Sequence, residues 1–361
     1  MDEIKMRPYD GLAIAGFLTL PGLLFTQPAA LTGQSAGAAW MAVLGAHIGV
    51  LCLFLLVTCL MSLHRGRNLI TAAIATVGAP LGRLYGLFLA AYFCITTGLL
   101  VREGAEIFKA YGLALTPIYV VIGLTLACAL VMNIFGGKAI IKSMGLFFLL
   151  VLLGIVFILL LGLNRYNPDY IFPIMGNGGH SIALSGLRAA CMIDGVLILA
   201  LFANDFADTR GLRKAGVMAI SISAMLSVLF FLCLVMMFSA PISANMMSGF
   251  MEMGKSIYYN RFFYRFESVL LFFLIFSSVL TACLGLYIAR KSAALAVGTW
   301  SHKLLSIVGS VIILAIALVP DNLYDLVTSY LDFSHNYSIF FIAGVPLFLL
   351  AITAFRRLFR V

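Results

Sequence analysis

Charge is what this sequence has least of. Only 10% of its 361 residues are Asp, Glu, Lys or Arg, against about 25% in soluble domains, and no stretch is left over from which a separate soluble domain could be built. Catalytic signatures are missing too. There is no HExxH, no GxSxG and no paired His and Asp spacing within the apolar segments, and the five histidines (His47, His64, His180, His302, His335) are scattered, so an intramembrane enzyme is disfavoured. The seven cysteines (Cys52, Cys59, Cys94, Cys128, Cys191, Cys233, Cys283) are odd in number, sit in apolar segments and form no CxxC. Neither a disulfide framework, a metal site nor a cofactor is expected. The opening MDEIKMRPYDG leads into an apolar stretch without a small-residue cleavage pattern, and the first hydrophobic segment is expected to be retained as a span.

What is present is hydrophobic: 63% of residues, with a mean hydropathy of +1.10. Repeated apolar runs of about 20 residues are each long enough to cross about 30 Å of hydrocarbon, and the class is an all-α polytopic membrane protein. Ten spans are expected, at about 11–30, 38–61, 84–108, 117–133, 144–163, 189–206, 215–237, 264–290, 304–319 and 337–355. A short amphipathic piece (69–81) and a surface helix (249–259) lie between them, and the methionines near the latter read as packing residues. The net charge of +9 argues for topology and not for nucleic acid. Sixteen basic residues fall on the side carrying both termini and seven elsewhere, which makes the termini cytoplasmic.

The stretch AACMIDGVLILALFANDF (189–206) stands out because Asp194 and Gly195 interrupt an apolar helix. A carboxylate at mid-span costs about 2.5–3.5 kcal/mol on insertion scales and implies a water-lined site or a partner. The alternative is an aspartate satisfied by a nearby hydroxyl or Arg, with Gly195 serving close packing. In the first span, LPGLLFTQPAA places Pro21 and Gly22 near the middle, and the helix is expected to open over 19–22; the alternative there is a simple proline kink. Cutting near Gly176 gives two halves of five spans, about 8–165 and 180–358 within one membrane domain, each beginning with an interrupted helix. That is the pattern of an inverted repeat with its site at the two breaks. Backbone N–H groups freed around Leu20, Pro21 and Gly22 suit a ligand carboxylate, and freed carbonyls with Asp194 suit an ammonium, a polarity that fits an α-amino acid. Thr96 and Thr281 lie at mid-depth in flanking helices, unless each merely bonds its own helix. Arg102 and Glu106, four apart, can pair, although Arg102 also reads as a snorkelling helix end. Arg265 and Glu267 stand at the mouth of span 8.

The order of LPGLLFTQPAALTGQSAGAAW, LVREGAEIF followed by TPIYVVI, FPIMGNGG, YRFES and VPDN resembles that of the GerAB-like spore germination permeases. These are the B subunits of nutrient germinant receptors, within the amino acid–polyamine–organocation superfamily. The resemblance implies a 5+5 helix fold of leucine-transporter type with helices 1 and 6 unwound around an amino-acid site. It further implies a location in the spore inner membrane and a receptor role beside an A subunit and a lipoprotein C subunit, with ion-coupled amino-acid transport as the alternative. Carried over by position, the site is Leu20, Gly22, Thr96, Asp194, Gly195 and Thr281. Family members often carry an apolar residue before the span 6 glycine and a glutamate after it. Here Asp194 precedes the glycine and Val196 and Leu197 follow, which shifts the expected preference toward a cationic or zwitterionic ligand.

Overall fold

Two prolines cut the first span into three pieces: α1 (Pro8–Thr19), α2 (Pro21–Leu24) and α3 (Gln27–Ser35). Pro21 opens α2 and Pro28 falls in the first turn of α3, positions where a missing N–H breaks no intrahelical bond. The computed structural model describes residues 5–64, 66–257, 266–298, 301–331, 338 and 342–358. After a 3-10 turn (Ala36–Ala38) come α4 (Ala39–Leu63), α5 (Leu69–Val77), α6 (Ala79–Tyr111), α7 (Ile118–Phe135) and α8 (Gly137–Leu161). The second half begins with α9 (Gly179–Ile193), which runs into a 3-10 stretch (Asp194–Asp205). It continues with α10 (Thr209–Phe238), α11 (Ala240–Ser243), α12 (Gly249–Ser256), α13 (Phe266–Val297), α14 (His302–Ala317), α15 (Leu323–Asp325), a π-helical turn (Leu326–Leu331) and α16 (Gly344–Leu358).

Local chemistry sets several of these boundaries. Asn68 caps α5 by accepting from Thr71 N–H at 2.9 Å, and Asp208 caps α10 by accepting from Gly211 N–H at 2.7 Å. Gly136, at φ +99°, lets α8 start one residue after α7 ends. A side chain is strained at that angle.

Among the described residues seven helices are long and apolar enough to cross a bilayer, and His302–Ala317 is a shorter apolar one. The two halves correspond as α1–α3 with α9 and its 3-10 extension, then α4 with α10, α6 with α13, α7 with α14, and α8 with α16. Four of these pairs pack on each other, α6 with α13 most extensively. Small residues permit that approach. A methyl group built on Gly285 would overlap Thr97 Oγ1, and one on Gly104 would come within 2.5 Å of Ser278 Oγ. Apolar side chains such as Leu84, Leu124 and Val311 are exposed on the outer faces of their helices, where a bilayer and not water is the natural neighbour.

Two expectations need correction. The piece at 249–259 is not a surface helix: α12 ends at Ser256, and Phe250, Met251 and Met253 are fully buried; Tyr258 and Tyr259 lie outside the described residues. Ser248 draws this helix inward by donating to Leu24 O at 2.7 Å. Arg102 is not a snorkelling end either, being only 4% exposed.

Candidate ligand site at two helix breaks

The first span leaves the helical path later than its sequence suggests. Leu20 keeps right-handed helical dihedrals, and its N–H donates to Gly16 O at 2.9 Å, so it is not a freed donor. The departure comes at Phe25 (φ −103°, ψ −146°). Three residues beyond Gly22, the backbone is taken up by distant partners. Thr26 N–H and Thr26 Oγ1 both donate to Glu103 Oε1 of α6, at 2.9 and 2.5 Å, and Leu24 O accepts from Ser248. Gly22 is covered by the side-chain amide of Gln27, which occupies the space a methyl group would need.

In span 6 the α-helix ends at Ile193 (φ −112°, ψ 1°) and the chain continues from Asp194 as a 3-10 helix of 12 residues. Runs beyond three or four residues are uncommon. The backbone change falls on the Asp194–Gly195 pair itself. The Asp194 side chain lies outside what is described. Near the break, Cys191 O accepts from Ser338 Oγ at 3.0 Å. Each break therefore has a carbonyl bonded by a serine from another element, as buried backbone requires.

The span 6 break packs on α1, ahead of the first break. Gly195 faces Leu18 of α1, and a methyl group built on it would sit 3.5 Å from Leu18 Cβ, an ordinary contact. Close packing does not require glycine there.

Glu103, not singled out from the sequence, is the carboxylate that meets the first break. It is 2% exposed. Its neighbours Arg102 and Glu106 turn elsewhere: Arg102 Nη2 and Nε bond Glu106 Oε1 at 2.8 and 3.0 Å, and the guanidinium also donates to Ala317 O (3.4 Å) and Asp321 O (2.9 Å) beyond the end of α14. One signal for Glu103 was available in the sequence. It has no cation three or four residues away, only Glu106, so an embedded carboxylate there needs a long-range partner.

Helix α13 brings hydroxyls to the same level. Its residues 270, 274, 277, 281, 284, 288 and 291 recur at alternating spacings of three and four, one face of a helix. Leu270 at one end meets α12 at Gly254, and Lys291 at the other pairs with Asp205. Between them, the hydroxyl oxygens of Ser277 and Thr281 are buried without a hydrogen-bond partner among the described residues. Ser278, beside them, packs on Gly104, which also faces the Phe25 ring. Thr96 instead bonds its own helix, donating to Tyr92 O at 3.1 Å. Arg265 lies outside the described residues, and Glu267 opens α13.

On the side of the termini the bundle is shut. Val196–Phe202 are at most 1% exposed, Met6 N–H donates to Asp205 O at 2.7 Å, and Lys291 bonds Asp205 with its ammonium 4.2 Å from the Phe202 ring. On the other side, Gln34 O accepts from Asn177 Nδ2 (2.8 Å) and Ser181 Oγ (2.5 Å), and the Gln34 amide lies between Ser185 and Arg188.

Two inverted halves of five helices, each opened by an interrupted helix, with polar groups gathered at the interruptions, define a membrane protein of secondary-transporter architecture. The solved structures agree. Mhp1, a nucleobase–cation symport-1 family transporter in a closed conformation with bromovinylhydantoin bound, superposes with a TM-score of 0.69 over 96% of this chain and 78% of its own, at 13% identity. MhsT in complex with L-phenylalanine superposes with a TM-score of 0.63 over 98% of this chain and 89% of its own, at 14% identity. The family model described as spore germination protein matches residues 13–325, and the chain belongs to that family. Spore germination protein A2 of Bacillus subtilis (strain 168) is 23% identical over 358 residues, 98% of this chain and 97% of that protein.

Proposed function

We propose that the protein is the ligand-sensing B subunit of a spore nutrient germinant receptor and that it binds an amino acid or similar small zwitterion where spans 1 and 6 are interrupted. The observation that supports this reading is that Gly195, at the start of the span 6 break, packs on Leu18 of α1, while α13 carries two buried hydroxyls, Ser277 and Thr281, that have no partner among the described residues. Buried polar groups are ordinarily satisfied, so these two fit a site whose remaining partner is the ligand. The names of both solved neighbours mention small organic ligands, one of them an amino acid, and the family ties the chain to germination. In this reading Asp194 and freed carbonyls receive the ammonium. Leu20, Pro21, Gly22, Gly195, Thr96 and Thr281 border the ligand in this reading, with its carboxylate directed away from Thr26, whose two donors Glu103 already takes. Ligand stabilises one arrangement of the bundle through its differential affinity, and A and C subunits read that arrangement. Both termini face the cytoplasm and the bilayer is the spore inner membrane.

The competing reading is ion-coupled transport, which the shared architecture favours equally. Binding and uptake of one labelled amino-acid panel in liposomes, with and without proton and sodium gradients, separates the two. Saturable binding without accumulation supports the sensor, and gradient-driven accumulation replaces it with a transporter. An Asp194→Asn variant that stays folded and binds with unchanged affinity removes Asp194 from the site.

A further inference from the structure

At the face that carries the termini, a cavity of about 240 Å³ opens between the turn joining α7 to α8 and the facing ends of α13 and α14. Arg290, Lys291, His302 and Lys303 line it, with Asp205 as the one carboxylate. That carboxylate is already taken by Lys291. The Arg290 guanidinium donates to Asn133 O at 2.8 Å and to Ser306 Oγ at 3.4 Å and lies 4.8 Å from the Tyr287 ring; among the described residues it meets no carboxylate. Lys303 is exposed and forms no ion pair among the described residues. Three permanent cations against one acid leave the cavity with an uncompensated positive charge, which suits a phosphate.

The surroundings say where that phosphate comes from. Ile134 and Phe135 line the same cavity and are 45% and 75% exposed. From there an exposed apolar stripe climbs α7 through Val131 and Leu124, while α14 carries a second through Leu304, Ile307 and Val311. The two helices are neighbours. The cationic cavity thus sits at the ends of two neighbouring helices whose exposed faces are apolar, so that each offers a wall to an acyl chain. An anion free in solution has no use for such walls, whereas acyl chains do.

We propose that this cavity binds the phosphate headgroup of an anionic phospholipid, with the acyl chains along the exposed apolar faces of α7 and α14. Basic pockets between membrane helices recognise headgroups in this way. The site is separate from the helix breaks and does not depend on the identity of the nutrient.

The test uses the full-length protein in neutral detergent, titrated with short-chain phosphatidylglycerol, short-chain phosphatidylcholine, glycerol 3-phosphate or inorganic phosphate, with thermal unfolding as the readout. Phosphatidylglycerol is expected to raise the unfolding temperature saturably and the other three to do so little. Lys303→Gln is expected to weaken that response about fivefold, the share of one lysine near a headgroup, while Lys303→Arg retains it. Lys138→Gln, an exposed lysine on α8 outside the cavity lining, leaves it unchanged. Equal responses to the two lipids, or an unaltered response in Lys303→Gln, overturn the proposal. A response to either free phosphate as large as that to phosphatidylglycerol overturns the lipid as its source.

Discussion

The Glu103–Thr26 clamp gives the sharpest mutational prediction. One carboxylate oxygen accepts both the N–H and the hydroxyl of Thr26, and the N–H has no helical acceptor because the chain departs from the helix at Phe25. Thr26→Val removes only the hydroxyl bond. Side-chain bonds between membrane helices average about 0.6 kcal/mol and reach about 1.7, so the loss is expected in that range. Glu103→Gln keeps an acceptor for the N–H and costs about 1 kcal/mol. Glu103→Ala removes both bonds and strands a backbone donor in a dry interior, where each unsatisfied group costs several kcal/mol. The expected order of destabilisation is Glu103→Ala well above Glu103→Gln, with Thr26→Val comparable to the latter. Reversible unfolding in mixed detergent micelles, followed by circular dichroism, measures it. A double-mutant cycle between Glu103→Ala and Thr26→Val, each of which removes the hydroxyl bond, should return a coupling of about 0.6–1.7 kcal/mol. A coupling near zero, or a Glu103→Ala variant no less stable than Thr26→Val, would refute the view that Glu103 holds the first break open.

Ser277→Ala and Thr281→Val should leave the unliganded protein as stable as the parent or slightly more so, since each hydroxyl is buried without a partner among the described residues, yet weaken amino-acid binding; unchanged affinity in the liposome assay removes both from the site. Asp205→Ala leaves the buried Lys291 unpaired and is expected to cost about 3–5 kcal/mol, whereas Asp205→Leu with Lys291→Met should recover most of that loss, as read from unfolding midpoints. Gly195→Ala fits the structure at 3.5 Å from Leu18 Cβ and should fold normally; loss of ligand binding in that folded variant would mean that ligand approaches the backbone there, and retained binding that it does not. His64, just beyond α4, lies with Nε2 3.2 Å from both Thr76 Oγ1 and Thr353 Oγ1, and burial, then Arg67 and Arg357, hold its pKa below the ordinary 6.5. The unfolded chain takes up this proton more readily, so His64's contribution to stability is present above that value and declines as pH falls through it. His64→Gln should flatten that part of the pH–stability curve.

The sequence by itself determined what depends on neighbours within a turn or two. Apolar runs of bilayer length made the spans. Pro21 and Pro28 cut the first of them because each lacks a donor, and the Asp194–Gly195 pair marked where span 6 changes helix type. The four-residue spacing of Arg102 and Glu106 sufficed to bring them together on one helix face. Only the tertiary structure decided which freed backbone groups stay free. Span 1 opens at Phe25–Thr26, beyond the stretch around Pro21, because Glu103, 77 residues away, takes Thr26 and Ser248, 224 residues away, takes Leu24 O. The Leu20 donor is returned to its own helix. Lys291 with Asp205, 86 residues apart, and the stripe of unpaired hydroxyls on α13 became visible for the same reason. A helix break is written in local conformational preference, but its position and what it offers a ligand depend on which distant side chain satisfies the exposed backbone first, and spacing along the chain carries no record of that.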